Sequence, residues 1–106
     1  MRSAKVFYRN SFAGILQELE RRRSYHFTYA ENYRGPGISL TMPLGREYAF
    51  QSFPSFFEGL LPEGVQLEAL LRENKIDSFD LFSQLMVVGN DTVGAVTLEE
   101  IIEVKG

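Results

Sequence analysis

Tyr25-His26-Phe27-Thr28-Tyr29 puts an aromatic side chain at every second position. Apolar and polar residues alternating with a period of two predict a half-buried β-strand, with Tyr25, Phe27 and Tyr29 on the core-facing side. Towards the N-terminus, Lys5-Val6-Phe7-Tyr8 is another β-prone run. Arg9-Asn10-Ser11 predicts a turn, and Phe12-Ala13-Gly14-Ile15-Leu16 the second arm of a hairpin. Towards the C-terminus, Arg34-Gly35-Pro36-Gly37 marks a loop over residues 32–37. Ile38-Ser39-Leu40-Thr41-Met42 then alternates again and predicts a further strand that stops at Pro43.

The second half changes character. Ser52-Phe53-Pro54-Ser55 predicts a helix entry, with Pro54 in the first turn, where a missing N–H costs nothing. Phe56-Phe57-Glu58-Gly59-Leu60-Leu61 predicts a short helix that Pro62-Glu63-Gly64 breaks or re-aims. A second helix over residues 65–74 carries Leu67, Leu70 and Leu71 on one stripe. Asp77 or Ser78 is expected to cap a third helix over residues 79–88, broadly apolar and therefore central. Gly89 ends it, Asn90-Asp91 turns the chain, and residues 93–98 form a closing strand. Residues 99–104 extend that strand or make a short final one. Strands, then helices, then a strand predict an α+β fold: an antiparallel β-sheet or partly closed barrel, with two to three helices inserted before the last strand. The 106 residues suit a single domain spanning 1–106.

Composition narrows the function classes. Hydrophobic residues are 44% and charged residues 24%, ordinary globular usage. The net charge of -3 argues against a duplex-DNA reader, which needs a basic face to displace counterions. The one basic run, Arg21-Arg22-Arg23, follows Glu18 and Glu20 and is expected to be a solvated turn. With no cysteine, a disulfide scaffold and thiolate zinc sites are excluded. No long apolar segment follows Met1, and none approaches the ~20 residues that span a bilayer, so a cytoplasmic protein is expected.

Catalytic chemistry finds little support. His26 is the lone histidine and has no ligand cluster around it, so neither a metal site nor a general base is assigned. Ser52, Ser55 and Ser78 lie where helix caps are expected, not in a nucleophile elbow. Glu99-Glu100 are strand neighbours that point to opposite faces, so they are no dyad. Gly89-Asn90-Asp91-Thr92-Val93-Gly94 is superficially like a phosphate loop. It lacks the Lys-Ser/Thr ending and precedes a strand, so Gly89, Asn90, Asp91 and Gly94 are assigned to a structural turn. No kinase catalytic loop or magnesium-binding triplet is present, and no enzyme, cofactor or metal is expected. The nine Phe and five Tyr lack interleaved bases and are assigned to core packing rather than RNA stacking.

Three motifs carry a resemblance. Phe56-Phe57-Glu58-Gly59-Leu60-Leu61-Pro62-Glu63 resembles the Phe-Phe-Asp/Glu-Asn/Gly-Leu-Leu-Pro-Asp/Glu signature of the N-terminal subdomain of HipA-type kinase toxins. Phe79-Asp80-Leu81-Phe82 resembles that family's Phe-Asp-Leu-Leu helix start. The run from Val88 through Gly89, Asp91 and Gly94 to Val96 resembles its glycine-rich turn. With the early strands, these pieces cover nearly the whole chain in the family's order and spacing. In HipA proteins the subdomain continues into a serine/threonine kinase, whose ATP and magnesium motifs are absent here. A free-standing version is similar to HipS, the small member of three-gene HipBST systems. Met1 and the polar end Glu103-Val104-Lys105-Gly106 lead us to expect a complete small protein.

The resemblance implies an antitoxin that binds and inhibits a HipT-like serine/threonine kinase toxin in company with a HipB-like DNA-binding protein. The alternative is a scaffold or co-repressor that strengthens a HipB-type complex on operator DNA without contacting the DNA itself. A detached module must recognise its kinase through a surface patch, and Glu58, Leu61, Pro62, Glu63, Gly64 and Val65 are the expected partner-binding residues. Pro62 restricts the backbone and lowers the entropy lost on binding. Gly64 permits close backbone approach. Phe57, Leu60 and Leu61 also suit a purely core role.

Overall fold

The computed structural model describes residues 1–92 and 94–102. β1 (Arg2–Tyr8) and β2 (Ser11–Glu20) form an antiparallel hairpin. Arg9 and Asn10 both have positive φ, 46° and 71°, the twist that a two-residue hairpin turn needs. β3 (Ser24–Tyr29) follows through the exposed turn Arg21-Arg22-Arg23. The expected alternation holds in β3: Tyr25 and Phe27 are 3% and 0% exposed, with Tyr29 packed against the core at its end. β4 (Glu47–Phe50) lies outside β3, and β5 (Val96–Ile101) pairs with β1. The sheet order is β4-β3-β2-β1-β5, antiparallel throughout. β4 and β5 are edges that do not meet, so the sheet is open and not a closed barrel.

One predicted strand is not a strand. Residues 38–42 form a loop with a single isolated bridge, Ser39 to Met42. Ile38 and Met42 point inward, but Leu40 is fully exposed, so the alternation there is that of a turn with two buried ends. Tyrosine hydroxyls do the work of a strand partner. The Ile38 N–H donates to the Tyr29 hydroxyl at 3.0 Å, which itself donates to the Met42 carbonyl. The Tyr33 hydroxyl donates to the Pro36 carbonyl and that of Tyr48 to the Pro43 carbonyl. With its backbone satisfied this way, the loop leaves the β3 edge to Glu47–Phe50, a strand that the sequence reading did not predict.

Three helices lie between β4 and β5, as expected: α1 (Ser55–Glu58), α2 (Gly64–Asn74) and α3 (Leu81–Val88). Pro54 is the N-cap of α1 rather than part of its first turn. α3 starts later than predicted, and neither Asp77 nor Ser78 caps it. The Asp80 carboxylate accepts the Ser83 N–H, while Asp77 accepts that of Phe79 in the preceding turn. Phe79 is therefore outside the helix and 78% exposed. Phe57, Phe82 and Leu85 from the helices cover Ala4, Val6, Leu16, Phe27 and Leu98 on one face of the sheet. The closing strand begins at Val96. Val93, Glu103 and Val104, which the predicted strand and its extension included, lie outside the described residues.

Gly89 seals the β5 edge. Its carbonyl accepts the Leu98 N–H at 2.8 Å, and a Cβ at Gly89 would lie 2.4 Å from the Leu98 carbonyl oxygen. Gly89→Ala must push α3 away from β5 and should cost about 1–3 kcal/mol. At Gly94 a Cβ would meet nothing, so Gly94→Ala should be close to neutral. Urea unfolding midpoints check this: a clear drop for the first variant and none for the second.

Candidate functional site

The expected partner-binding residues gather at the bend between α1 and α2. The Phe57 ring is fully buried, 5.9 Å from the Phe27 ring centroid. α1 is one turn long and tightens at its end, with Leu60 N–H bonded to the Phe57 carbonyl and Leu61 N–H to that of Glu58, both at 3.1 Å. This tightening carries Leu60 and Leu61 into the core at 7% and 8% exposure. Pro62 is half-buried at the turn, and Glu63 is extended. Gly64 has φ +60°, a conformation that disfavours side chains, while no atom lies near the position of a Cβ. Its role in the fold is backbone shape rather than close packing within the chain.

Of the six predicted contact residues, Glu58, Pro62, Glu63, Gly64 and Val65 thus reach the surface of one tip, and Leu61 lies beneath it. Val65 is 79% exposed. α2, which continues from it, has no fully buried residue: Leu67, Leu70 and Leu71 are each half-buried. Beside α1 a concavity of about 420 Å³ is lined by Met42, Phe50, Phe53, Pro54 and Phe56 and by no charged residue. The predicted structural turn is at the far end of α3. Gly89 is buried, Asn90 and Asp91 are exposed with the Asp91 N–H on the Val88 carbonyl, and Gly94 lies in an exposed bend.

A second constellation has no counterpart in the sequence reading. Arg2 on β1 clamps Glu18 on β2 with two hydrogen bonds of 2.7 and 2.8 Å. It also reaches Asp80 at 2.9 Å and the Ser83 hydroxyl at 2.7 Å, at the start of α3. The guanidinium lies 4.9 Å from the Phe82 ring centroid. Glu18 and Asp80 are only 3% and 7% exposed, yet among the described residues no buried side-chain polar atom lacks a partner. The cluster fastens α3 to the sheet. The Arg21-Arg22-Arg23 turn is exposed as predicted and leans on it: the Arg22 N–H donates to Glu18, and its guanidinium is 3.7 Å from Asp77.

The cluster makes stability pH-dependent. Burial alone would raise the Asp80 pKa, but hydrogen bonds from Arg2 and Ser83 overcome it and hold the carboxyl at about 2. Glu18 is lowered in the same way, burial being outweighed by Arg2 and the Arg22 N–H. Both folded-state values lie below the unfolded ones. The stabilisation is therefore complete above the ordinary carboxylate range and is lost as pH falls towards 2. Asp80 alone contributes on the order of 2 kcal/mol. Unfolding free energies measured from neutral pH down to acid should decline along this course in the wild type. They should be flatter in Asp80→Asn.

Other titratable groups the sequence singles out lie apart from this cluster. His26 is half-buried, its Nδ1 3.2 Å from the Thr28 hydroxyl and its Nε2 3.6 Å from Glu47. Glu99 and Glu100 are exposed on β5. Among the described residues no group of three or more His, Asp or Glu is placed to hold a metal ion, and no helix is long and apolar enough to cross a membrane.

An open antiparallel sheet, three helices before the final strand and a Phe-Phe-Glu-Gly-Leu-Leu-Pro bend at their start define an α+β domain of the HipA N-terminal type. The chain belongs to the HipA N-terminal domain family, whose profile matches residues 4–99. It is 36% identical over 103 residues to an uncharacterized protein of Haemophilus influenzae, covering 94% of this chain and 93% of that protein. A solved N-terminal domain of HipA toxin superposes with a TM-score of 0.77 at 28% identity, covering 98% of this chain and 96% of that one. Membership places the chain among HipA-related toxin–antitoxin proteins, as counterpart of a non-catalytic subdomain.

Proposed function

We propose that the chain is an antitoxin that acts in the cytoplasm by binding and restraining a HipT-type serine/threonine kinase, with a HipB-type DNA-binding protein as the third member of the system. It does so without catalysis of its own. The observation that carries this proposal is the α1–α2 tip. An aliphatic side chain, Val65, stands 79% exposed at the head of a helix with no fully buried residue, on a bend that Phe57, Leu60 and Leu61 root in the core. Exposed apolar residues on a rigid support are what protein interfaces use as anchors. The Haemophilus relative, a protein of the same extent, supports a domain that works apart from a fused kinase. The tip is proposed to enter the kinase near its cleft and block phosphorylation, by keeping the lobes apart or obstructing substrate.

Co-expression tests the proposal. Cells producing a HipT-type kinase should recover growth when this chain is supplied without any HipB-type protein. If growth stays arrested and only operator repression strengthens, the chain is a co-repressor scaffold and not an antitoxin.

A further inference from the structure

From Glu47 to Leu71 the chain contains no Lys, Arg or His, and its only ionisable acids there are Glu47, Glu58, Glu63 and Glu68. Glu58, Glu63 and Glu68 are exposed and lie on either side of the exposed Val65 in the sequence. α3, which packs on α1, has no basic residue either, and the concavity beside α1 is uncharged. The bases of α2 and its C-cap, Arg72 and Lys75, belong to the opposite end of that helix. The helix dipole gives Glu63, at the N-cap, a local reason to be acidic. Glu58 lies outside α2 and Glu68 in its second turn, beyond the reach of that effect.

Building on the kinase-binding proposal, we infer that the tip docks in an apolar pocket of the kinase rimmed by Lys and Arg side chains. Val65 fills the pocket, and the three glutamates meet the basic rim. Opposite charges on a rim act mainly on encounter: they raise the association rate and make it fall with salt, while the buried anchor governs dissociation. A one-sided acidic tip also disfavours acidic or neutral surfaces, so the same residues select the partner.

The test is stopped-flow association of the chain with a HipT-type kinase at about 0.05 M and about 0.5 M NaCl. Wild type, Glu63→Gln/Glu68→Gln and Glu63→Lys/Glu68→Lys are compared, with circular dichroism to show that each is folded. The wild-type rate should fall roughly tenfold or more with salt. At low salt the Gln pair should associate several-fold more slowly and the Lys pair more slowly still, with little change in dissociation. Tight binding with equal, salt-insensitive rates for all three would overturn the basic-rim inference and leave the docking proposal standing. Absence of wild-type binding would overturn both.

Discussion

Arg2→Ala is expected to lower the unfolding free energy by about 3 kcal/mol or more, the cost of removing one partner from a buried ion pair. The truncation would strand Glu18 and Asp80, which are almost inaccessible to water and rely on Arg2 for four hydrogen bonds between them. It also removes the cation over Phe82 and the bond to Ser83 beside the α3 cap. A domain of this size has a total stability of roughly 5–15 kcal/mol, so the loss is a large share of it. Arg2→Lys should be intermediate: it keeps the charge but not the planar fork that serves both carboxylates at once. Replacing Arg2, Glu18 and Asp80 together with apolar residues of similar volume should be far milder than Arg2→Ala, because no charge is left unpaired. Urea titrations of these variants check the expectation. A drop below about 1 kcal/mol for Arg2→Ala would mean that the cluster is an exposed ion pair in its energetics.

Val65→Asp is expected to weaken kinase binding by about 2 kcal/mol or more, roughly thirtyfold, with no loss of fold stability. The asymmetry follows from exposure. Val65 is 79% exposed, so the domain loses little packing when it changes. In the proposed complex the same position enters an apolar pocket, where an unpaired carboxylate is costly. Leu61→Ala provides the contrast. At 8% exposure it belongs to the core, and its truncation should lower stability by about 2–5 kcal/mol. Calorimetric titration with the kinase, paired with thermal melts, separates the two effects. A Val65→Asp variant that binds like wild type would remove the tip from the interface.

Much of this architecture is legible in the residues. The alternation around Tyr25, Phe27 and Tyr29 marks β3 because a half-buried strand has no other way to arrange its side chains. The Leu67, Leu70 and Leu71 stripe marks α2 for the corresponding helical reason. Ile38, Leu40 and Met42 mislead because a turn with two buried ends also has apolar residues two apart, and the Tyr29 hydroxyl that bridges its two ends lies 9 and 13 residues away from them. Glu47–Phe50 is too short to show a period, and its place is decided by the edge that the loop leaves free. Local spacing points to Asp77 or Ser78 as the α3 cap because it cannot show that Arg2, 78 residues away, holds Asp80 in place. At the candidate site, the sequence suits Leu61 to either a contact or a core role, and the tightening at the end of α1 decides for the core.

Autophosphorylation of a HipT-type kinase with ATP, followed in the presence of one equivalent of this chain, tests the central claim most directly. Wild-type chain should suppress phosphate incorporation, and folded Val65→Asp should restore it towards the rate of the kinase alone. Undiminished incorporation with the wild type, or equal suppression by both, would contradict restraint through the α1–α2 tip.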